Sequence, residues 1–318
     1  MLPARRAVID VGTNSVKLLV ADVARRQVSP VFEVGSQTRL GQGFYETHCL
    51  QPDAVARTTW AVAEFAKTAH GYGAISIRII ATSAARDAKN HRQLTSAIEQ
   101  ACGLKVEVIS GEQEAGWAFQ GATSDPKLAR EPLLLLDVGG GSTEFILGQG
   151  DTMHFRQSFP LGVVRLMESI PHGDPPKPAE LSRCREWLRD FMASKVEAEL
   201  GPALRHEVKL HGQHHVARLV GAGGTATVLA RMENAMEDWD REYIEATRLT
   251  LGKVHGWVER LWGLPLAERR QIPGLPPERA DVILIGVVIY EAVMKQFAFA
   301  ELRVSTRGLR FAAVMDGC

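Results

Sequence analysis

Two stretches of the chain repeat one pattern of apolar and polar positions. Residues 7–15 read AVIDVGTNS and residues 134–144 read LLLDVGGGSTE. In each, an apolar run predicts a buried strand, an Asp ends it, and Val-Gly, small residues and a Ser follow. Gly-rich turns of this kind let backbone N–H groups close on an anion without side chains in the way. Both copies then enter a further apolar run, SVKLLVADV after the first and EFILG after the second, in hairpin register. The repetition predicts a duplicated α/β fold that grips a phosphate from both sides.

Between and after these hairpins, strand and helix patterns alternate. Pro52-Asp53 opens a predicted helix with Asp53 as N-cap and an apolar face of Val55, Thr59, Val62, Phe65, Ala66 and Ala69, ended by Gly71. IRIIATSAAR reads as a strand running into a loop that carries Arg86. Leu94, Ala97, Ile98 and Ala101 form the next helical face, stopped by Gly103. VEVIS is a strand, and a helix starts at Gly111. The polar, two-proline stretch 123–132 is the expected boundary, dividing the chain into domains 1–124 and 125–318. A Pro-rich connection at 171–180 precedes a helix near 179–198, and residues 281–298 form an apolar helix before a final strand and helix.

Composition narrows the function classes. Lys+Arg and Asp+Glu both number 37, so the chain lacks the basic surplus of a general nucleic-acid binder. No apolar run reaches membrane-spanning length, so no membrane contact is expected. The cysteines at 49, 102, 184 and 318 show no CxxC spacing, and no secretory signal precedes the first strand, which points to a reduced, cytoplasmic protein. His211, His214 and His215 lie in a polar stretch with no carboxylate at ligand spacing, which argues against a metal site there.

Taken in order, DVGTNSVKLLV (10–20), SAAR (83–86), VISGEQEAG (108–116), LDVGGGSTE (136–144), VGAGGTA (220–226) and VSTRGLR (304–310) give the chain its resemblance. It resembles the exopolyphosphatase/guanosine-pentaphosphate phosphohydrolase (Ppx/GppA) family, in its short two-domain form. That family belongs to the actin-like ATPase superfamily. The resemblance implies two actin-like (ribonuclease H-like) domains with a cleft between them and a C-terminal segment packed back on domain I. Within it, the second Glu of a Gly-x-Glu-Glu-Ala motif is the base that activates water, which falls on Glu114. Read alone, Glu114 is more simply a helix-N-terminal acid favoured by the helix dipole. Gln113, Gly116 and Phe311-Ala312 depart from the family pattern around Glu114 and after Arg310.

The resemblance also implies Arg86 as a cation offsetting charge on the transferring phosphoryl group. Asp137 and Glu144 would be the magnesium ligands, since phosphate-bound magnesium takes one or two carboxylates; otherwise Asp137 is a structural acid satisfying the N–H groups of its turn. Manganese could replace magnesium, and a monovalent cation such as potassium could join it. Asp10 either orients a metal-bound water or caps its loop. Gly12, Thr13, Asn14 and Ser15, with Gly139, Gly140, Gly141, Ser142 and Thr143, would donate to phosphate. Gly223, Gly224 and Thr225 form a third turn that reads as a phosphate contact or a plain tight turn. Lys17 reaches the phosphate chain or snorkels to the surface. Arg165, Arg307 and Arg310 are candidate contacts to further phosphates, or ordinary surface arginines.

The expected reaction is magnesium-dependent release of orthophosphate from the end of inorganic polyphosphate by a homodimer. Alternatives are hydrolysis of guanosine pentaphosphate, an ATP-dependent kinase or ATPase on the same fold, and a non-catalytic sensor of either anion.

Overall fold

The computed structural model describes residues 3–211 and 217–316; His214, His215 and Cys318 lie outside the described residues, as does the side chain of His211. Five strands form the first sheet: β1 (Ala4–Val11), β2 (Val16–Ala24), β3 (Gln27–Ser36), β4 (Ser76–Ala81) and β5 (Val106–Val108). Their order is β3-β2-β1-β4-β5, with β1–β2–β3 antiparallel and β1, β4 and β5 parallel. The second sheet contains β6 (Leu133–Val138), β7 (Thr143–Gln149), β8 (Thr152–Phe159), β9 (Arg218–Ala222), β10 (Arg248–Thr250) and β11 (Glu301–Val304). Its order is β10-β11-β9-β6-β7-β8. Without the antiparallel edge strand β10, this is the first sheet's topology again: an antiparallel meander of three strands, then two parallel neighbours.

β3 gave no clear signal in the sequence. None of its residues is buried and Pro30 interrupts it, which an edge strand tolerates because its outer N–H groups need no partner.

Helices α1 (Pro52–Gly71), α2 (Ser83–Asp87), α3 (His91–Cys102) and α4 (Gly111–Ala122) follow in the first half. The N-cap of α1 is Gln51, not Asp53; Pro52 takes the first helical position and Asp53 sits in the first turn. Proline suits that position because its missing N–H would be unpaired anyway, and the Asp still favours the positive helix end. Arg86 lies on the short helix α2 rather than in a loop. The stretch 123–132 includes one helical turn, Pro126–Ala129, capped by Asp125. In the second half α5 (Val163–Ser169), α6 (Gly223–Glu233), α7 (Ile283–Gln296) and α8 (Leu309–Met315) bear on the site. The helix expected near 179–198 begins at Pro178, widens at Met192–Val196 and continues to His211.

Both faces of each sheet are covered, which is why β6 reads as an unbroken apolar run. Leu134 and Leu136 face one large core with α7, whereas Leu133 and Leu135 face the other side. On that other side lie Ala115, Ala118, Phe119 and Ala122 of α4. So α4, the last helix of the first half, packs on the second sheet. In return α8, the last helix of the second half, packs Leu309, Phe311 and Val314 against Val8, Leu19 and Ile80 of the first sheet. The two exchanged helices touch where a Cβ on Gly121 would stand 2.0 Å from the Gly308 carbonyl oxygen. Only a residue without a side chain permits that approach. Among the described residues, no helix is long and apolar enough to cross a membrane.

Candidate active site

The two hairpin turns meet between the sheets and are built alike. In the first, the Gly12 N–H donates to the Ser15 carbonyl at 3.0 Å; in the second, the Gly139 N–H donates to the Ser142 carbonyl at 2.9 Å. Strand register places Asp10 beside Lys17 in one hairpin and Asp137 beside Glu144 in the other. One repeat position therefore holds an ammonium in the first copy and a carboxylate in the second.

A cavity of about 90 Å³ lies between the turns. Gly12, Thr13, Asn14, Ser15 and Lys17 line it from one side, and Gly139, Gly140, Gly141 and Ser142 from the other, with Gly224 and Thr225 of α6. Asp10, Glu114, Asp137 and Glu144 all border this space. Thr143 does not: its hydroxyl donates to the Leu161 carbonyl inside the core. Gly223 takes φ +77°, and a Cβ there would stand 2.1 Å from Asp137 Oδ1. It seats that carboxylate and borders an outer cavity instead.

Glu114 reaches the cavity from the first turn of α4. Ser110 caps this helix by accepting the Gln113 N–H at 3.1 Å, which fixes where the turn starts. Arg86 Nη1 donates to Glu114 Oε2 at 2.9 Å and to the Ile109 carbonyl at 3.3 Å. The guanidinium thus faces the carboxylate rather than the cavity. Burial pushes the Glu114 carboxyl up to about 7, against the opposing pull of Arg86. The space beside Gly116 adjoins Arg156, which pairs with Glu112.

Glu144 is 1 % exposed and accepts the Ser158 hydroxyl at 2.7 Å. Burial, then the negative charges of Glu114 and Asp137, raise it well above the usual carboxylate range. Burial also raises Asp10 and Asp137, with Lys17 opposing in both. Among the described residues no three His, Cys, Asp or Glu side chains form a cage able to hold a metal ion by themselves. Four enclosed carboxylates facing few cations nevertheless suit a divalent ion that takes most of its ligands from phosphate and water. Asp137 and Glu144, adjacent across one hairpin, fit that role.

The remaining candidates separate. Arg310 donates to the Leu18 carbonyl at 3.0 Å and borders the outer cavity. Arg165 donates to the Gly141 carbonyl at 2.8 Å and lies over the Tyr45 ring, so it braces the second turn from behind. Arg307 is directed to Ser124 at 3.4 Å, away from both cavities. Sequence reasoning missed Arg279. Its guanidinium borders both cavities, lies against Gly224 and makes no ion pair among the described residues. Burial holds Arg279 below its ordinary value, and burial followed by Arg279 lowers Lys17. Its only trace in the sequence was a lone Arg just before the apolar helix, with no spacing to either turn.

Comparison with known proteins gives this geometry a lineage. The sequence profile of the Ppx/GppA phosphatase family matches residues 19–316. The chain belongs to that family. It is similar to "Exopolyphosphatase 2" of Mycobacterium tuberculosis, 35% identical over 306 residues, which span 93% of this chain and 92% of the relative. Among solved structures it is similar to the Aquifex aeolicus PPX-GPPA enzyme, with a TM-score of 0.77, 31% identity and coverage of 99% of this chain and 100% of that one. An exopolyphosphatase from Cytophaga hutchinsonii superimposes with a TM-score of 0.84 at 25% identity, covering 98% of both chains. The Ppx/GppA fold is that of two actin-like domains around a cleft, and the two matching sheets are those domains.

Proposed function

We propose that this Ppx/GppA phosphatase is an exopolyphosphatase that releases orthophosphate from the end of inorganic polyphosphate. The observation that carries the reading is Glu114, held by Arg86 at the wall of a small cavity between two Gly-rich turns. A cavity of about 90 Å³ suits a terminal phosphoryl group, and Ser15, Lys17, Gly224 and Arg279 border both it and an outer cavity of about 840 Å³. A phosphate chain would enter through the outer cavity with its end between the turns.

In this reading backbone N–H groups of both turns, Lys17 and Arg279 hold the terminal phosphates. Arg86 orients Glu114 and keeps a fraction of it ionised. Glu114 accepts a proton as a water oxygen attacks the terminal phosphorus in line; the phosphoanhydride bond breaks, and its electron pair leaves with the shortened chain. Asp137 and Glu144 would hold magnesium, which when bound neutralises phosphoryl oxygens. The division into 1–124 and 125–318, a homodimer and a cytoplasmic setting complete the proposal.

A second reading has one observation in its favour. Phe32 and Trp239 border the outer cavity, which is wide enough for a nucleoside, so guanosine pentaphosphate is a competing substrate. The test is phosphate release from polyphosphates of defined length and from guanosine pentaphosphate, with and without magnesium. Release from polyphosphate alone supports the first reading; release from the nucleotide alone replaces it. No release from either would sink both.

A further inference from the structure

The outer cavity is bordered by an ion cluster that the proposed reaction does not use. Glu33 on β3 of the first sheet reaches two arginines from the second half of the chain. Its Oε1 accepts from Arg241 Nη2, and its Oε2 lies 3.2 Å from Arg310 Nη2. The three side chains are 19%, 21% and 18% exposed, so the cluster is mostly withdrawn from solvent. Arg241 is pre-oriented: a second nitrogen donates to the Thr306 hydroxyl, and its guanidinium stacks 5.1 Å above the Phe311 ring. Burial lowers the Arg241 pKa, with Arg307 and Arg310 adding to the effect against Glu33 and Glu245.

Its place is informative. Lys17 pairs with Gly35 and Leu19 with Glu33 in the β2–β3 ladder, so Glu33 lies two residues beyond the row that carries Lys17. Lys17 and Arg279 border both the inner and the outer cavity, and Glu33, Arg241 and Arg310 border the same outer cavity. A chain that fills the inner cavity and continues past Lys17 meets this arginine pair next. The planar forks of arginine take carboxylate and phosphate alike.

We propose that Glu33 is an internal stand-in for phosphate: it occupies a distal anion subsite made by Arg241 and Arg310, and a long phosphate chain displaces it. The inference rests on the polyphosphatase reading and adds a chain-length filter to it. A free phosphate displaces Glu33 poorly, because the carboxylate is tethered at high effective concentration. A chain already anchored between the turns is tethered too, and it carries more charge. Chains too short to reach the pair never engage it.

The experiment is steady-state phosphate release by the full chain, using long-chain polyphosphate and tripolyphosphate as the two probes. Glu33→Gln is expected to lower KM about tenfold for the long chain, the scale of one charge-assisted hydrogen bond no longer contested. KM for tripolyphosphate stays within about twofold. Arg241→Gln is expected to raise the long-chain KM and, in the double variant, to remove the benefit of Glu33→Gln. An equal shift with both probes, or none with either in an active wild-type background, overturns the inference and leaves Glu33 a clasp between the domains. If Glu33→Gln does not fold, Glu33→Asp, whose shorter carboxylate cannot span both arginines, must still lower the long-chain KM selectively. Wild-type protein inactive on both probes overturns the polyphosphatase reading and this inference together.

Discussion

Glu114 titrates late because it is enclosed, and Arg86 limits how late. As the proposed base it must be ionised, so kcat/KM for phosphate release is expected to rise with pH and level off above about 7. Glu114→Gln should lower kcat about 10²–10⁴-fold with circular dichroism unchanged. Arg86→Gln removes the cation that favours the charged form, so the acid limb of the profile should move up by about one pH unit or more. A merely structural Arg86 would lower activity at every pH and leave the limb in place. Stability runs the other way. The folded pKa lies above the ordinary 4.5, so the native state holds the proton longer than the unfolded chain does. Stability from this group is therefore lost as pH rises from about 4.5 to about 7. Thermal melts of Glu114→Gln protein should lack that loss.

At the scale of elements, the doubled hairpin was legible because its chemistry is local. A buried strand, an Asp, a Gly-rich turn and the returning strand lie within about a dozen residues, and register follows from the turn. The hairpin register expected of both copies is the one observed, with Asp137 beside Glu144 and Asp10 beside Lys17. Arg279 and Glu33 were not legible. Arg279 meets the site only because α7 packs where it does, and Glu33 sits on an edge strand whose half-exposed residues carry no clean alternation. Nor did composition show that the Thr143 hydroxyl would be spent on Leu161 or that Arg165 would brace Gly141. Such partners are set by tertiary contacts, which one sequence does not encode at fixed spacing. The packing of α4 against the segment entering α8 offers a direct check. Gly121→Ala places a methyl group against the Gly308 carbonyl and should destabilise the protein by about 1–3 kcal/mol, seen as a lower Tm.

Across the whole molecule, the carboxylates, turns and arginines come from both sheets, so ligand binding should tie the halves together. Tripolyphosphate with magnesium is expected to raise Tm, by about 2.7 kcal/mol of added stability at a hundredfold excess over Kd. Chelation should abolish both that gain and phosphate release. The exchange of α4 and α8 carries a separate consequence. Cutting the chain in the polar stretch 123–132 yields two fragments, each bearing a helix whose apolar face fits the other fragment's sheet. Each fragment can shield only one face of its own sheet, and each holds the missing cover of its counterpart. Expressed singly they should aggregate; expressed together they should reassemble and regain phosphate release. The chain would then serve as a natural split reporter, in which enzymatic activity measures whether two separate polypeptides have met.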